Sequence, residues 1–150
     1  MVAPTKFKQL QVGDKLNSGI GDLEAFGHVI LSQSKLISFS DAGSAVDVCV
    51  LPAKSQILEI YVDVYTAFNS SGTDLLDIGV SGTANLFADN LDLSSAARLR
   101  GSSDVSQLAN YDDIGDAQIT VQALYTQSVA DAAAGSARIT VVYAAGNDLS

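Results

Sequence analysis

The sequence predicts an all-β fold, an antiparallel β-sandwich of jelly-roll-like architecture that follows an extended N-terminal arm. The composition favours strands, because Val, Ile, Thr and Tyr are frequent whereas Glu occurs only twice among the 150 residues. Residues 56–68 alternate with the period of two that is typical of a strand. About seven or eight short apolar segments are separated by turn residues, and no alternation of strand and helix patterns indicates a parallel α/β sheet.

The N-terminal segment, residues 1–26, has no firm periodicity and is interrupted repeatedly by glycine. We expect an arm there and one sandwich domain over residues 27–150. Two interpretations are open, a frayed terminus or an arm that lies on a neighbouring molecule. The arm contains apolar and basic side chains that suit such a contact, and the candidate residues are Lys6, Phe7, Lys8, Leu10 and Lys15.

In the first part of the domain, the sequence pattern predicts three strands, over residues 28–32, 35–39 and 45–51. Residues 41–44 have the Asp, Gly and Ser composition of a turn. In the third strand, Val46, Val48 and Val50 alternate and are expected on one face. Pro52 ends this strand, because proline cannot donate to a central ladder.

The clearest element is the long strand predicted over residues 56–68. One face is expected to carry Leu58, Ile60, Val62, Val64, Thr66 and Phe68, and the other Ile57, Glu59, Tyr61, Asp63, Tyr65 and Ala67. Side chains on one face of a strand repeat about every 7 Å. The row Glu59, Tyr61, Asp63 and Tyr65 is therefore a candidate protein interface, since tyrosine brings contact area at low entropic cost. The alternative is an ordinary amphipathic or second buried face.

The second half of the domain is less regular. A strand is predicted over residues 75–81, a short helical turn over residues 84–91, and a turn or short strand over residues 94–99. Residues 101–104 and 112–116 are predicted to be exposed loops. Two long strands, residues 117–127 and 136–145, end the domain, and the small residues between them predict a flexible hairpin loop.

Charge argues against a nucleic-acid partner, and the lack of a long apolar segment argues against a membrane partner. The chain has a net charge of −9 with eight Lys and Arg residues, whereas nucleic-acid binding needs a basic footprint. No apolar run of signal-peptide type follows the N-terminal lysines, and no segment approaches the roughly 20 apolar residues of a membrane span. We therefore expect neither direct nucleic-acid binding nor a membrane partner.

Motifs for catalysis are also lacking. The single cysteine, Cys49, is expected to be a buried strand thiol, although a pairing with the single histidine, His28, is not ruled out by the sequence. The aspartates of residues 89–92 and 112–116 offer oxygen ligands for calcium, but solvated loop carboxylates are the simpler interpretation. We expect a protein that is not an enzyme and holds no cofactor.

Residues 51–97 carry a family resemblance. Residues 51–62 lead from a proline and small residues into the long strand, and the turn Thr66-Ala67-Phe68-Asn69-Ser70 follows. Leu76-Asp77-Ile78-Gly79, Ala88-Asp89 and Leu91-Asp92-Leu93-Ser94 come next. This succession resembles capsid decoration (cement) proteins and related head structural proteins of tailed bacteriophages. The resemblance implies a trimeric subunit that is made in the host cytoplasm, binds the major capsid protein on the outer surface of the virion shell and stabilises it.

Three hypotheses about function follow. The first is a structural virion protein of the decoration type. The second is a sandwich module of a tail or baseplate that recognises a host-surface glycan, which exposed aromatic pairs and polar clefts would favour. The third is a cytoplasmic enzyme or other β-domain, which a pocket that brings His28, Cys49 and an aspartate together would favour.

Overall fold

A computed structural model of the protein describes residues 29–145, and the predicted arm, residues 1–26, lies outside them. The described part contains eight strands and three short 3₁₀ turns. The strands are β1 (Ile30–Ser38), β2 (Ala45–Leu51), β3 (Gln56–Thr66), β4 (Asp74–Val80), β5 (Thr83–Asp92), β6 (Arg98–Arg100), β7 (Ile119–Gln127) and β8 (Ser136–Ala144). The 3₁₀ turns are Phe39–Asp41, Gly101–Ser103 and Leu108–Asn110.

The strands form two four-stranded antiparallel sheets. Sheet A has the order β1-β8-β3-β6, and sheet B has the order β2-β7-β4-β5. Every connection crosses from one sheet to the other except the β4–β5 hairpin, which is the arrangement of a jelly roll. The predicted fold class, an all-β jelly-roll-like sandwich, is confirmed.

The core lies between the inner faces of the two sheets. Val62 and Ile139 of sheet A face Leu76, Ile78 and Val121 of sheet B, and all five side chains are fully buried. The last two strands alternate as strands with one buried face should, and the side chains that point into this core are Val121, Ala123 and Tyr125 of β7 and Ile139, Val141 and Tyr143 of β8. Apolar burial at about 25 cal/mol per Å² is the main favourable contribution to the stability of such a domain.

β-Bulges correct two predicted face assignments. Between Ile57 and Glu59 the register with β8 shifts by one residue, so Leu58 is the extra residue. Ile57 is consequently buried and Leu58 is 41% exposed, the reverse of the prediction. A second bulge, at Val48, separates Val50 from Val48, and Val50 is exposed.

Three further predictions about elements are wrong. The two strands predicted over residues 28–32 and 35–39 are one strand in the structure, because residues 30–38 form β1, whose whole length pairs with β8. Residues 84–91 are part of β5 and not a helical turn. A bulge near Asn90, which has a φ of 55°, breaks the alternation of this strand. As a result, the consecutive residues Phe87 and Ala88 are both buried. β7 and β8 lie in different sheets, so residues 128–135 are a crossover and not a hairpin loop.

Candidate functional site

The row of side chains predicted as an interface lies on the outer face of sheet A, along β3. Tyr65 is 54% exposed, whereas Glu59, Tyr61 and Asp63 are half-buried. Alternation places these side chains opposite the buried Ile60, Val62 and Val64. The five predicted contact residues of the arm, which are Lys6, Phe7, Lys8, Leu10 and Lys15, lie outside the residues that the structure describes.

Two arginines from neighbouring strands converge on Asp63. Arg98 of β6 donates from Nε to Oδ1 at 2.6 Å and from Nη2 to Oδ2 at 3.2 Å, and Arg138 of β8 donates to Oδ2 at 3.2 Å. The register explains this convergence, because Asp63 is the Cα partner of both arginines. The hydrogen bond from Arg98, reinforced by that from Arg138, holds the pKa of Asp63 below its usual value.

The tyrosines of the row lie under the same guanidinium groups. The guanidinium carbons of Arg98 and Arg100 lie 5.3 and 5.6 Å from the centroid of the Tyr61 ring. That of Arg138 lies 5.7 Å from the Tyr65 ring. These distances are within the range of cation–π attraction, which contributes about 0.5–1 kcal/mol at exposed sites. The outer face of sheet A therefore has an ordered arrangement of rings and guanidiniums.

Glu59 differs from the rest of the row, because its carboxylate is held by backbone and side-chain donors. It accepts hydrogen bonds from the Ser102 hydroxyl at 2.6 Å, from the Ser102 amide at 3.2 Å and from the Ile60 amide at 2.9 Å. These bonds tie β3 to the 3₁₀ turn that follows β6. Glu59 is thus a structural residue within this face.

The arginines are the part of this surface that the sequence analysis missed. We call the surface formed by Tyr61, Asp63, Tyr65, Arg98, Arg100 and Arg138 the arginine–tyrosine face. The alternation of Arg98 and Arg100 around Leu99, and of Arg138 with the buried Ile139, was a usable signal that these arginines point outward. Arginine and tyrosine are enriched in protein interfaces and at their energetically dominant positions, so this composition favours protein binding.

Nucleophilic catalysis and metal binding find little support among the described residues. Cys49 is buried, as predicted, and burial raises the pKa of its thiol to about 11, so the nucleophilic thiolate is scarce at neutral pH. His28 lies outside the described residues. Within residues 29–145, no group of three or more His, Cys, Asp and Glu side chains is arranged to hold a metal ion.

The aspartates considered for calcium make local turn contacts. Asp92 accepts a hydrogen bond from the Ser94 amide, and Asp113 accepts one from the Gly115 amide, each at 2.8 Å. Such contacts from an aspartate to the amide two residues ahead stabilise loops. Separately, none of the helical turns in the described part of the chain is long or apolar enough to span a membrane.

Comparison with known proteins gives matches by structure only. No model of a known protein family matches the sequence, and no curated protein matches it. The fold does match a chain of the cyanophage Pam1 capsid asymmetric unit, with a TM-score of 0.61 and 18% identity. That match covers 87% of this chain and 98% of the other.

Two further solved structures contain a similar chain. One is the acidic stable capsid of Helicobacter pylori bacteriophage KHP30, with a TM-score of 0.53, 16% identity and coverage of 79% of this chain and 90% of the other. The other is the capsid of Ralstonia phage GP4, with a TM-score of 0.55, 17% identity and coverage of 80% and 86%. At these identities the likeness establishes a shared fold.

Proposed function

We propose that the protein is a structural component of a bacteriophage head, and specifically a decoration protein that binds the outer surface of the capsid and stabilises the shell. The observation that carries this proposal is the jelly-roll fold shared with chains of three phage capsid structures, over 86–98% of each of those chains. The match spans nearly the whole length of these chains, which supports a protein of the same size class. The partner would be the major capsid protein.

A trimer and an N-terminal arm complete this proposal. A decoration protein acts through many weak contacts that are multiplied by its valency, so a trimer gains avidity without needing any single strong contact. Residues 1–26 would form the arm, and Lys6, Lys8 and Lys15 would meet acidic capsid surface while Phe7 and Leu10 add apolar contact. The arginine–tyrosine face offers a second contact surface on the sandwich.

The glycan-binding alternative has less support from the exposed aromatic residues. A sugar stacks on an open aromatic ring, whereas two guanidiniums already lie over the Tyr61 ring. Tyr65 is more exposed, at 54%, but is also contacted by Arg138. The aromatic residues of the described surface therefore favour the head-protein proposal over glycan binding.

The test uses empty shells assembled from the major capsid protein encoded by the same phage genome. Full-length protein is mixed with the shells, and bound protein is measured after sedimentation; light scattering gives the mass of the free protein. We expect saturable binding, a trimeric mass, and lower occupancy after deletion of residues 1–16. The absence of shell binding, together with tight binding to a glycan array, would replace the proposal with the glycan-binding function. If the protein that lacks residues 1–16 binds the shells as fully as the wild type does, the arm has no part in shell binding.

A further inference from the structure

The two sheets of the sandwich differ sharply in charge. The strands of sheet A contain four basic residues and two acidic ones. The strands of sheet B contain no basic residue and five aspartates, which are Asp47, Asp74, Asp77, Asp89 and Asp92. The chain has three arginines in all, and every one lies on the arginine–tyrosine face. Within residues 29–145, positive charge is thus concentrated on one face of a protein whose net charge is −9.

We infer that the arginine–tyrosine face docks onto an acidic patch of another protein; this inference rests on the proposed function, under which that protein is the shell subunit. The complementary charges would orient the sandwich, with sheet A towards the shell and the aspartates of sheet B other than the buried Asp74 towards solvent. Electrostatic complementarity of this kind determines the orientation of docking and raises the rate of association.

The arginines retain the capacity to bind a second carboxylate. The side chains of Arg98 and Arg138 are 60% and 44% exposed, whereas that of Asp63 is 12% exposed. Asp63 therefore lies beneath the guanidiniums and orients them without covering them. Arg100 is exposed, and within residues 29–145 no carboxylate forms an ion pair with it. A guanidinium has five N–H donors in a planar fork that matches a carboxylate.

Geometry argues against a second copy of the chain as the occupant. Among the strands, the complementary surface is the aspartate-bearing outer face of sheet B, which is directed away from sheet A because the two sheets form opposite layers of one sandwich. Contacts between these opposite faces would repeat from copy to copy and produce an open stack rather than a closed oligomer. An acidic surface on a different protein avoids this outcome.

The overall charge argues against nucleic acid as the occupant. Three arginines on a chain of net charge −9 form a small footprint, and the extended phosphate backbone of a duplex would also meet the acidic remainder of the surface. An acidic patch on a protein is limited in extent and can match the arginine–tyrosine face alone.

The experiment compares two charge reversals of equal size on exposed residues of sheet A. Arg100→Glu changes the arginine–tyrosine face. Lys35→Glu is the matched control, because Lys35 is the Cα partner of the core-facing Ile139 and so lies off the outer face, at the β1 edge. Binding of both full-length variants to the empty shells is measured by sedimentation at low and high salt. Circular dichroism and light scattering verify their fold and mass, and binding to a 30-bp DNA duplex is measured in parallel.

We expect Arg100→Glu to weaken shell binding by about tenfold or more and Lys35→Glu to change it by less than about twofold. The difference should shrink at high salt, because exposed charges are then screened. Equal binding by wild type and both variants overturns the inference and leaves the head-protein proposal intact, whereas no shell binding by wild type overturns both. A loss of oligomer mass in Arg100→Glu would overturn the inference in favour of contact between copies of the chain. Wild-type binding to the duplex that exceeds binding to shells would overturn it in favour of nucleic acid.

Discussion

The hydroxyl group of Tyr125 offers a sharp test of how the domain is stabilised. Tyr125 is 1% exposed, and its hydroxyl donates a hydrogen bond to Oδ1 of Asp74 at 2.5 Å. Asp74 is itself 2% exposed and accepts one other hydrogen bond, from the Ser70 amide at 3.1 Å. Tyr125→Phe removes the stronger of these donors. The ring stays, with its contact to Phe68 at a centroid distance of 4.6 Å, so no cavity forms.

The expected cost follows from the acceptor that is left behind. A buried acceptor that loses its donor costs about 1–3 kcal/mol, so we expect Tyr125→Phe to lower the free energy of unfolding by about 2 kcal/mol. For a domain of this size such a loss corresponds to a decrease in Tm of about 4–8 °C. The measurement is urea unfolding, in which the midpoint should fall while the slope with denaturant is unchanged.

Tyr143→Phe is the matched control, because it deletes the same atom from another buried tyrosine. The Tyr143 hydroxyl accepts a hydrogen bond at 2.8 Å from the side-chain amide of Gln33, which is half-buried and also donates to the Val50 carbonyl. Water can replace the lost partner there, and we expect a loss below about 1 kcal/mol. Equal losses in the two variants would refute the argument that the buried carboxyl group determines the cost.

Three further predictions concern stability and reactivity. Gly79→Ala should lower the free energy of unfolding by about 1–3 kcal/mol in urea, because a Cβ there would overlap the backbone of Thr83; unchanged stability would contradict this. Burial raises the pKa of Tyr111 and Tyr125 above the unfolded value of about 10, so the fold favours their protonated forms. Stability from these groups should be complete below pH 10 and fall at higher pH, and a flat stability profile from pH 8 to 11 would count against it. Cys49 should react with a disulfide reagent at pH 8 about a hundredfold more slowly in the folded protein than in urea, because its pKa rises from 9.0 to about 11; equal rates would contradict burial of the thiol.

The sequence predicts the strands of this fold better than their faces. Strict alternation identified β3, and the observed Gln56–Thr66 ends two residues before the predicted end. A bulge adds one residue on one strand, and every side chain on one side of it then changes face relative to a simple period of two. Ile57 and Leu58 exchange roles for this reason. Nothing in the composition around Leu58 marks the position of the bulge.

Two elements in the middle of the chain, β5 and β6, could not be assigned from local pattern. β5 contains two consecutive buried residues, Phe87 and Ala88, so its sequence lacks the alternation of a strand and resembles a helical turn. Its identity depends on pairing with β4 in a register that shifts twice. β6 has only three residues, Arg98–Arg100, and is held by its pairing with β3. Both elements are determined by tertiary contacts, which outweigh local propensity.

The arginine–tyrosine face shows why half of a site can be visible in a sequence while the other half is not. Asp63 is separated from Arg98 by 35 residues and from Arg138 by 75. Alternation predicts that each of these side chains points outward, but only the strand order β8-β3-β6 makes them neighbours. The predicted hairpin would have paired β8 with β7, and nothing in it indicates that β8 also pairs with β3. Because the jelly roll places β3 between β8 and β6, a row that contains two acids and two tyrosines in the sequence becomes part of the face that carries all three arginines of an acidic protein.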